Sequence, residues 1–220
     1  MKYLRKFNTT AEKNTWQKSE EHVTPNVVIS EEGVQYNIPK LKGVYIQHIN
    51  GELYRQADWE VNGFEPSEAN GVAVVDGDVS IVIAKSDVAT SVWAANYSTL
   101  VDGVMATTSA ATAANDIAGS DNTEKILALG AAGAAYLCRN YIFPNGRNGY
   151  LPAYGEMKQM SSYRAVINAA MILIGGTEIL TSNTWTSTQY NATQAWIFWS
   201  SGNSKVTKSS NYRARPVTAL

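Results

Sequence analysis

Residues 181 to 212 constrain the fold more than any other part of the chain. They hold Trp185, Trp196 and Trp199, three of the six tryptophans, with Tyr190, Phe198 and Tyr212, among seventeen Ser, Thr and Asn residues and not one acid. Side chains alternate across a sheet, so Trp185, Trp196 and Phe198 can point into a core while the short polar residues between them face water. Ala195-Trp196-Ile197-Phe198-Trp199 followed by Ser200-Ser201-Gly202-Asn203 reads as a strand entering a turn, and Ser204 to Lys208 as the returning strand. The mixture is also that of a paratope: rigid aromatics supply contact area at low entropic cost, and small hydroxyl and amide groups supply adaptable hydrogen bonds. Polar positions near the turn are expected to be exposed and cheap to exchange.

The rest of the composition removes whole classes of function. The chain has 220 residues, 45% of them hydrophobic, enough for one sizeable domain with a small appendage. Lys plus Arg is 18 against 19 for Asp plus Glu, a net charge of −1, so no basic excess exists for nucleic acid or an anionic membrane surface. The single cysteine, Cys138, excludes an internal disulfide and a thiolate metal cage, and it reads as a small buried hydrophobe on a helix. The longest apolar candidate, Ala169 to Ile174, stops at Gly175-Gly176, well short of a membrane span. Lys2, Arg5 and Lys6 are followed by polar residues where a secretory signal needs an apolar stretch, so none is expected. Two histidines, His22 and His48, lie far apart and offer a poor basis for a catalytic base or a metal site.

Along the chain, residues 1–42 form a polar appendage with extended stretches at Val27–Ile29 and Val34–Ile38, serving either as an arm on the main body or in attachment and oligomerisation. Val44–Ile46 and Leu53-Tyr54 flank Asn50-Gly51, a hairpin signal. Gly71–Val75 and Val79–Ala84 flank Asp76-Gly77-Asp78, a second one, and the two units are expected to share a sheet. Residues 98–121 show no sustained period and read as a long surface loop, in which Asp116, Asp121 and Asn122 could hold a hard cation but lack the spacing of a calcium loop. One helix is predicted from Asn122 or Thr123 to about Tyr141, along Ile126, Gly130, Gly133 and Leu137. A second is predicted from Tyr154 to Gly175, along Met160, Tyr163, Ile167, Ala170 and Ile174.

Trp185-Thr186-Ser187-Thr188, Ala195-Trp196, Gly202, Lys208 and Arg213-Ala214-Arg215-Pro216-Val217 resemble the C-terminal signature of C-type-lectin-fold domains, in particular the variable proteins of diversity-generating retroelements of phages and gut bacteria. Leu137–Tyr141 and Gly149-Tyr150-Leu151-Pro152-Ala153-Tyr154-Gly155-Glu156-Met157 are similar to the two-helix core and the junction of that fold. The resemblance spans residues 43–220, and the appendage is more loosely similar to the beginnings of Bacteroides-type phage structural proteins. It implies an α+β, C-type-lectin-like fold, two helices packed on antiparallel sheets, with a variable region at about 181–217. It also implies a diversified, ligand-binding set: Tyr190, Asn191, Ile197, Trp199, Ser200, Ser201, Asn203, Ser204, Val206, Thr207, Ser209, Ser210 and Asn211. Trp199 fits that set least well, since a tryptophan codon does not arise from an Asn codon by adenine change alone. Trp185, Trp196, Gly202, Lys208, Arg213 and Arg215 would be the invariant frame.

Three functions compete on this basis. The resemblance implies a non-enzymatic binding protein for a protein or glycan receptor on a bacterial surface, on a phage tail or a cell, as a homo-oligomer, a trimer in some relatives. No cofactor is expected, and no metal, since the tail lacks the acidic ligands of sugar-binding lectins. Formylglycine-generating enzymes resemble the chain in architecture but need cysteine chemistry that Cys138 alone does not provide. No triad, phosphate loop or zinc helix motif is present, and pairing Glu52, Asp58, Glu60 or Glu65 as a glycosidase acid and base has no positional basis. The third reading is an inert structural phage or surface protein.

Overall fold

The computed structural model describes residues 25–31, 34–39 and 42–220, which divide into two compact units, Met1–Gly43 and Val44–Leu220. In the first, β1 (Pro25–Glu31) and β2 (Val34–Pro39) pair antiparallel.

The first sheet of the second unit grows from the two hairpins. β3 (Gly43–His48) pairs with β4 (Leu53–Tyr54) around Asn50-Gly51, and β5 (Ala69–Asp76) pairs with β6 (Val79–Ile83) around Gly77-Asp78. The C-terminal strand β12 (Val217–Ala219) adds to β6, and the order is β12-β6-β5-β3-β4, so both hairpins lie in one sheet. The second sheet has the order β10-β9-β8-β11-β7, from β7 (Val88–Ser91), β8 (Thr184–Gln189), β9 (Gln194–Trp199), β10 (Gly202–Thr207) and β11 (Tyr212–Ala214). It is mixed rather than antiparallel throughout: after β10 the chain returns to the far side of β8 and pairs with it in parallel, Arg213 opposite Thr184.

Six helices complete the unit: α1 (Gln56–Asn62), α2 (Ala110–Ala113), α3 (Gly119–Leu127), α4 (Gly133–Arg139), α5 (Tyr154–Ser162) and α6 (Arg164–Leu173). The two long helices expected are therefore each broken. The first stops at Leu127 and the next starts at Gly133; in between the chain leaves helical geometry at Gly130 (φ 131°), and at Gly133 (φ 90°) it passes so close to the backbone of Ala94 that a Cβ there would lie 2.6 Å from its Cα. Only glycine permits that approach. The second bends at Tyr163, which leaves helical geometry at φ −102°, ψ 10° and donates its hydroxyl to Asp76 Oδ2 at 2.9 Å. At the start of α5, Glu156 reaches back to the N–H of its N-cap residue, Ala153, at 2.7 Å and accepts from the Tyr150 hydroxyl at 2.8 Å. Burial pushes that carboxyl up to about 7.

Residues 98–121 are largely irregular and exposed, as a surface loop would be, but they carry the short helix α2 and the start of α3 and are anchored at several points. Val101, Val104, Ala113 and Asp116 are buried, and Ser109 caps α2 by accepting from the N–H of Thr112. Asp116 is not held for a cation. Its carboxylate accepts from Asn122 Nδ2 and from the Thr188 hydroxyl at 2.7 Å, while Asp121 is exposed.

Two apolar clusters sandwich the second sheet. The first joins Val72, Val74, Ile81 and Ile83 of the first sheet to Tyr154, Met157, Met160, Ile167 and Met171 of α5 and α6, and to Trp196 and Phe198 of β9. The second gathers Trp93, Ile126, Ala134, Ala135 and Cys138 against Trp185, Ala195, Ile197 and Ala214. The alternating residues of β9 thus serve two cores, 196 and 198 on one side, 195 and 197 on the other.

Candidate functional site

β8 is the rigid centre beneath the candidate surface, and all six of its residues are buried. Its polar side chains are bonded inward: Thr186 donates to the carbonyl of Trp196 at 2.9 Å, Thr188 to Asp116, and Gln189 Nε2 to the carbonyls of Val101 and Val104. Trp185 donates its indole N–H to the Ser91 carbonyl and Trp196 to the Thr107 carbonyl, so neither ring leaves a buried donor unpaired. From this base β9 and β10 project as an edge hairpin, with Trp199 opposite Gly202 around the two-residue turn Ser200-Ser201.

The register sorts the hairpin side chains by face. Asn203 lies opposite Phe198 and Lys205 opposite Trp196, so they, with Thr207, share the side of the first cluster but extend past it into solvent. Ser204 and Val206 lie opposite Ile197 and Ala195, on the side of the second cluster, where Trp199 and Val206 pack partly buried. Of the thirteen positions carried over from the family resemblance, Ser200, Ser201, Asn203, Thr207, Ser209 and Asn211 are exposed. Tyr190, Asn191, Trp199, Ser204, Val206 and Ser210 are half-buried.

Ile197 departs from the expected set. It is 1% exposed, at the heart of the second cluster, because β9 is covered on both faces and the alternation has no outward phase there. Asn191 is also committed to the structure: its Oδ1 accepts from the N–H groups of Thr193 and Gln194 and its Nδ2 donates to Gln194 Oε1, which builds the β8–β9 turn. Trp199 bonds the hydroxyl of Ser201 across the hairpin turn. Lys205 on β10 and Thr193 in the β8–β9 turn are exposed although neither belonged to the expected set. Lys205 could have been found from the alternation itself, since it stands two residues from Asn203 and from Thr207.

The frame residues are mostly interior. Trp185, Trp196, Lys208 and Arg215 are buried, whereas Arg213 is exposed, 3.5 Å from Asp87. Lys208 ties the hairpin to its surroundings: Nζ donates to Gln189 Oε1 at 2.8 Å and to the carbonyls of Thr99 and Ala192 at 3.0 Å, and it lies 4.4 Å from the centre of the Trp93 ring. No carboxylate among the described residues pairs with it, and burial lowers its pKa to about 8.

A folded-state pKa below that of the unfolded chain means that folding releases a proton from Lys208 between about pH 8 and 10.5. Stability contributed by this group therefore rises with pH across that window. From pH 7 to 9.5 the native protein should gain about 2 kcal/mol relative to Lys208→Met, measured by urea unfolding of both at each pH. Parallel curves would mean that the ammonium is not desolvated.

Among the described residues no helix is long and apolar enough to cross a membrane. His48 accepts from the N–H of Asn50 through Nδ1 and sits 3.6 Å from Glu68 within a ring cluster of Tyr54, Trp59 and Phe64; His22 lies outside the described residues. No family model matches the sequence, and no curated protein matches it. Among solved structures, a fimbrial protein from Bacteroides ovatus ATCC 8483 matches with a TM-score of 0.55 at 13% identity, over 86% of this chain and 51% of that one. The chain thus spans about half the length of that fimbrial protein, and the likeness at this identity is one of fold.

Proposed function

We propose that the chain is a non-enzymatic ligand-binding protein, a C-type-lectin-like domain of the retroelement variable type, which displays an exchangeable hairpin surface to a receptor on a bacterial cell. The observation that carries this reading is the division of burial at one hairpin. Aromatic and hydrogen-bonded side chains of β8 and β9 are interior, while Ser200, Ser201, Asn203, Thr207, Ser209 and Asn211 face solvent, the side chains of Ser201 and Thr207 bonding only to near neighbours in sequence, Trp199 and Ser210. Side chains of that kind can change without unfolding what holds them. Cys138 gives no support to the oxidoreductase alternative, because it is fully buried and its burial raises the thiol pKa, which disfavours the reactive thiolate.

A receptor-binding role on a virion or a cell surface fits the likeness in fold to a fimbrial protein. Contacts through short polar side chains are individually weak, so a homo-oligomer such as a trimer would supply avidity. Light scattering at micromolar concentration should show more than a monomer.

The decisive test exchanges the six exposed residues together for those of a sister variant. Circular dichroism and the unfolding midpoint should stay as they are, each change contributing within about 0.5 kcal/mol, while adsorption to a panel of bacterial cells changes. In the encoding DNA, a near-copy of the segment for residues 181–217, mismatched mainly at adenines beside a reverse transcriptase gene, would support the same reading. A loss of fold, or unchanged adsorption, would overturn it.

A further inference from the structure

We infer that Lys205, seated on Tyr190, is a fixed contact for the carboxylate or sulfate group of an acidic polysaccharide; this rests on the binding role of the hairpin proposed above. The first ground is an unopposed charge. The molecule as a whole carries −1, yet residues 181–212 contain no acid. Of the two lysines in that stretch, Lys208 is interior, which leaves Lys205 as the charge this segment shows to solvent. Its ammonium makes no ion pair or hydrogen bond among the described residues. Arg164, by contrast, already donates to the Ser200 carbonyl at 2.8 Å and lines a shallow depression that also contains Glu178.

The second ground is placement. Lys205 Nζ lies 5.3 Å from the centre of the Tyr190 ring. Tyr190 stands edge-to-face on Trp196 at 5.1 Å, and Trp196 on Tyr154 at 5.2 Å, so a ladder of rings runs from the core to the surface and ends beneath the cation. A lysine held over a ring loses less side-chain freedom when it engages an anion. Asn203 and Thr207 flank it on the same face of β10 with an amide and a hydroxyl.

The third ground is what the surface lacks. None of the large exposed apolar side chains of the domain falls within residues 181–220. The aromatic rings beside this face, Tyr190 and Trp199, are half-buried and already engaged with Trp196 and Ser201, so the groups freest to meet a ligand are polar, whereas protein interfaces draw most of their affinity from aromatic or aliphatic anchors. A hydroxyl-rich chain bearing anionic groups matches a face of amides, hydroxyls and one pinned cation.

The test is an NMR titration of the isotope-labelled full chain with polygalacturonate, neutral dextran and poly-L-glutamate at low salt and at 0.5 M NaCl. Polygalacturonate should shift resonances of Tyr190, Asn203, Lys205 and Thr207, with a Kd that weakens at high salt. It should weaken about tenfold in Lys205→Gln, the loss of one charge-assisted hydrogen bond, and recover in Lys205→Arg. Equal shifts with dextran, shifts elsewhere on the molecule, or an unchanged Kd in Lys205→Gln would overturn the assignment. Equal binding of poly-L-glutamate would overturn the polysaccharide and point to an acidic protein segment. The two readings fail separately: cell adsorption that follows the six-residue exchange but ignores Lys205→Gln removes this assignment alone, and the reverse pattern removes the exchangeable surface.

Discussion

Replacing Arg215 by methionine is expected to destabilise the Val44–Leu220 unit by about 3–5 kcal/mol, the usual cost of removing one partner of a buried ion pair. Arg215 is 1% exposed and spends its donors completely: Nε on Asp87 Oδ1, Nη1 on the carbonyls of Ala84 and Thr177, Nη2 on the Thr177 hydroxyl and the Glu178 carbonyl. One side chain thus joins the tail between β11 and β12 to the segment that follows β6 and to the loop that follows α6. Methionine fills part of the volume and leaves the Asp87 carboxylate without its buried counter-ion. Set against a typical total of about 5–15 kcal/mol for a domain, the loss is large enough to read directly from the urea midpoint at unchanged slope. Arg215→Lys should recover less than half, because an ammonium is a point donor and cannot span five acceptors arranged for a planar fork. A loss below about 1 kcal/mol in the methionine variant would mean that water reaches these acceptors and that the site is not closed.

What the amino-acid sequence revealed of this fold was what local chemistry decides. Asp76-Gly77-Asp78 and Asn50-Gly51 name their turns because few residues accept those backbone angles, and both hairpins are where those residues place them. The β9–β10 hairpin was equally legible, since alternating rings and a serine-glycine turn need nothing distant to explain them. The helix breaks were hidden because their causes are tertiary. Gly133 is required by the backbone of Ala94, about forty residues earlier, and nothing in the apolar period around it announces that approach. Asp116 was hidden for the same reason: its partners are Asn122 and Thr188, and only the fold brings the second to it. At the hairpin, sequence pattern separates rings from small polar residues but cannot say how many cores a strand serves. That is why Ile197, misplaced in the exposed set, falls outside it, whereas Lys205, in phase with Asn203 and Thr207, was legible from the alternation.

Ile197→Asn measures that misplacement. In a surface set the exchange would be neutral, and asparagine at this position is what a diversified hairpin would be expected to tolerate. In the structure, Ile197 lies inside the second cluster beside Trp185, its register partner on β8. Truncating a buried isoleucine costs about 2–5 kcal/mol, and the amide adds about 1–3 kcal/mol more when it finds no partner among apolar neighbours. We therefore expect a loss of roughly 4–6 kcal/mol in chemical unfolding. Ile197→Val should cost only about 0.5–1.5 kcal/mol, which separates packing from any effect of the backbone. Asn203→Ile, across the hairpin at an exposed position, should leave stability within about 0.5 kcal/mol. The contrast between Ile197→Asn and Asn203→Ile decides where the exchangeable surface ends. If both are neutral, β9 is open on one side and position 197 returns to the binding face; if only the first unfolds the domain, the boundary runs between the two strands, and diversity is confined to β10 and the turns around it.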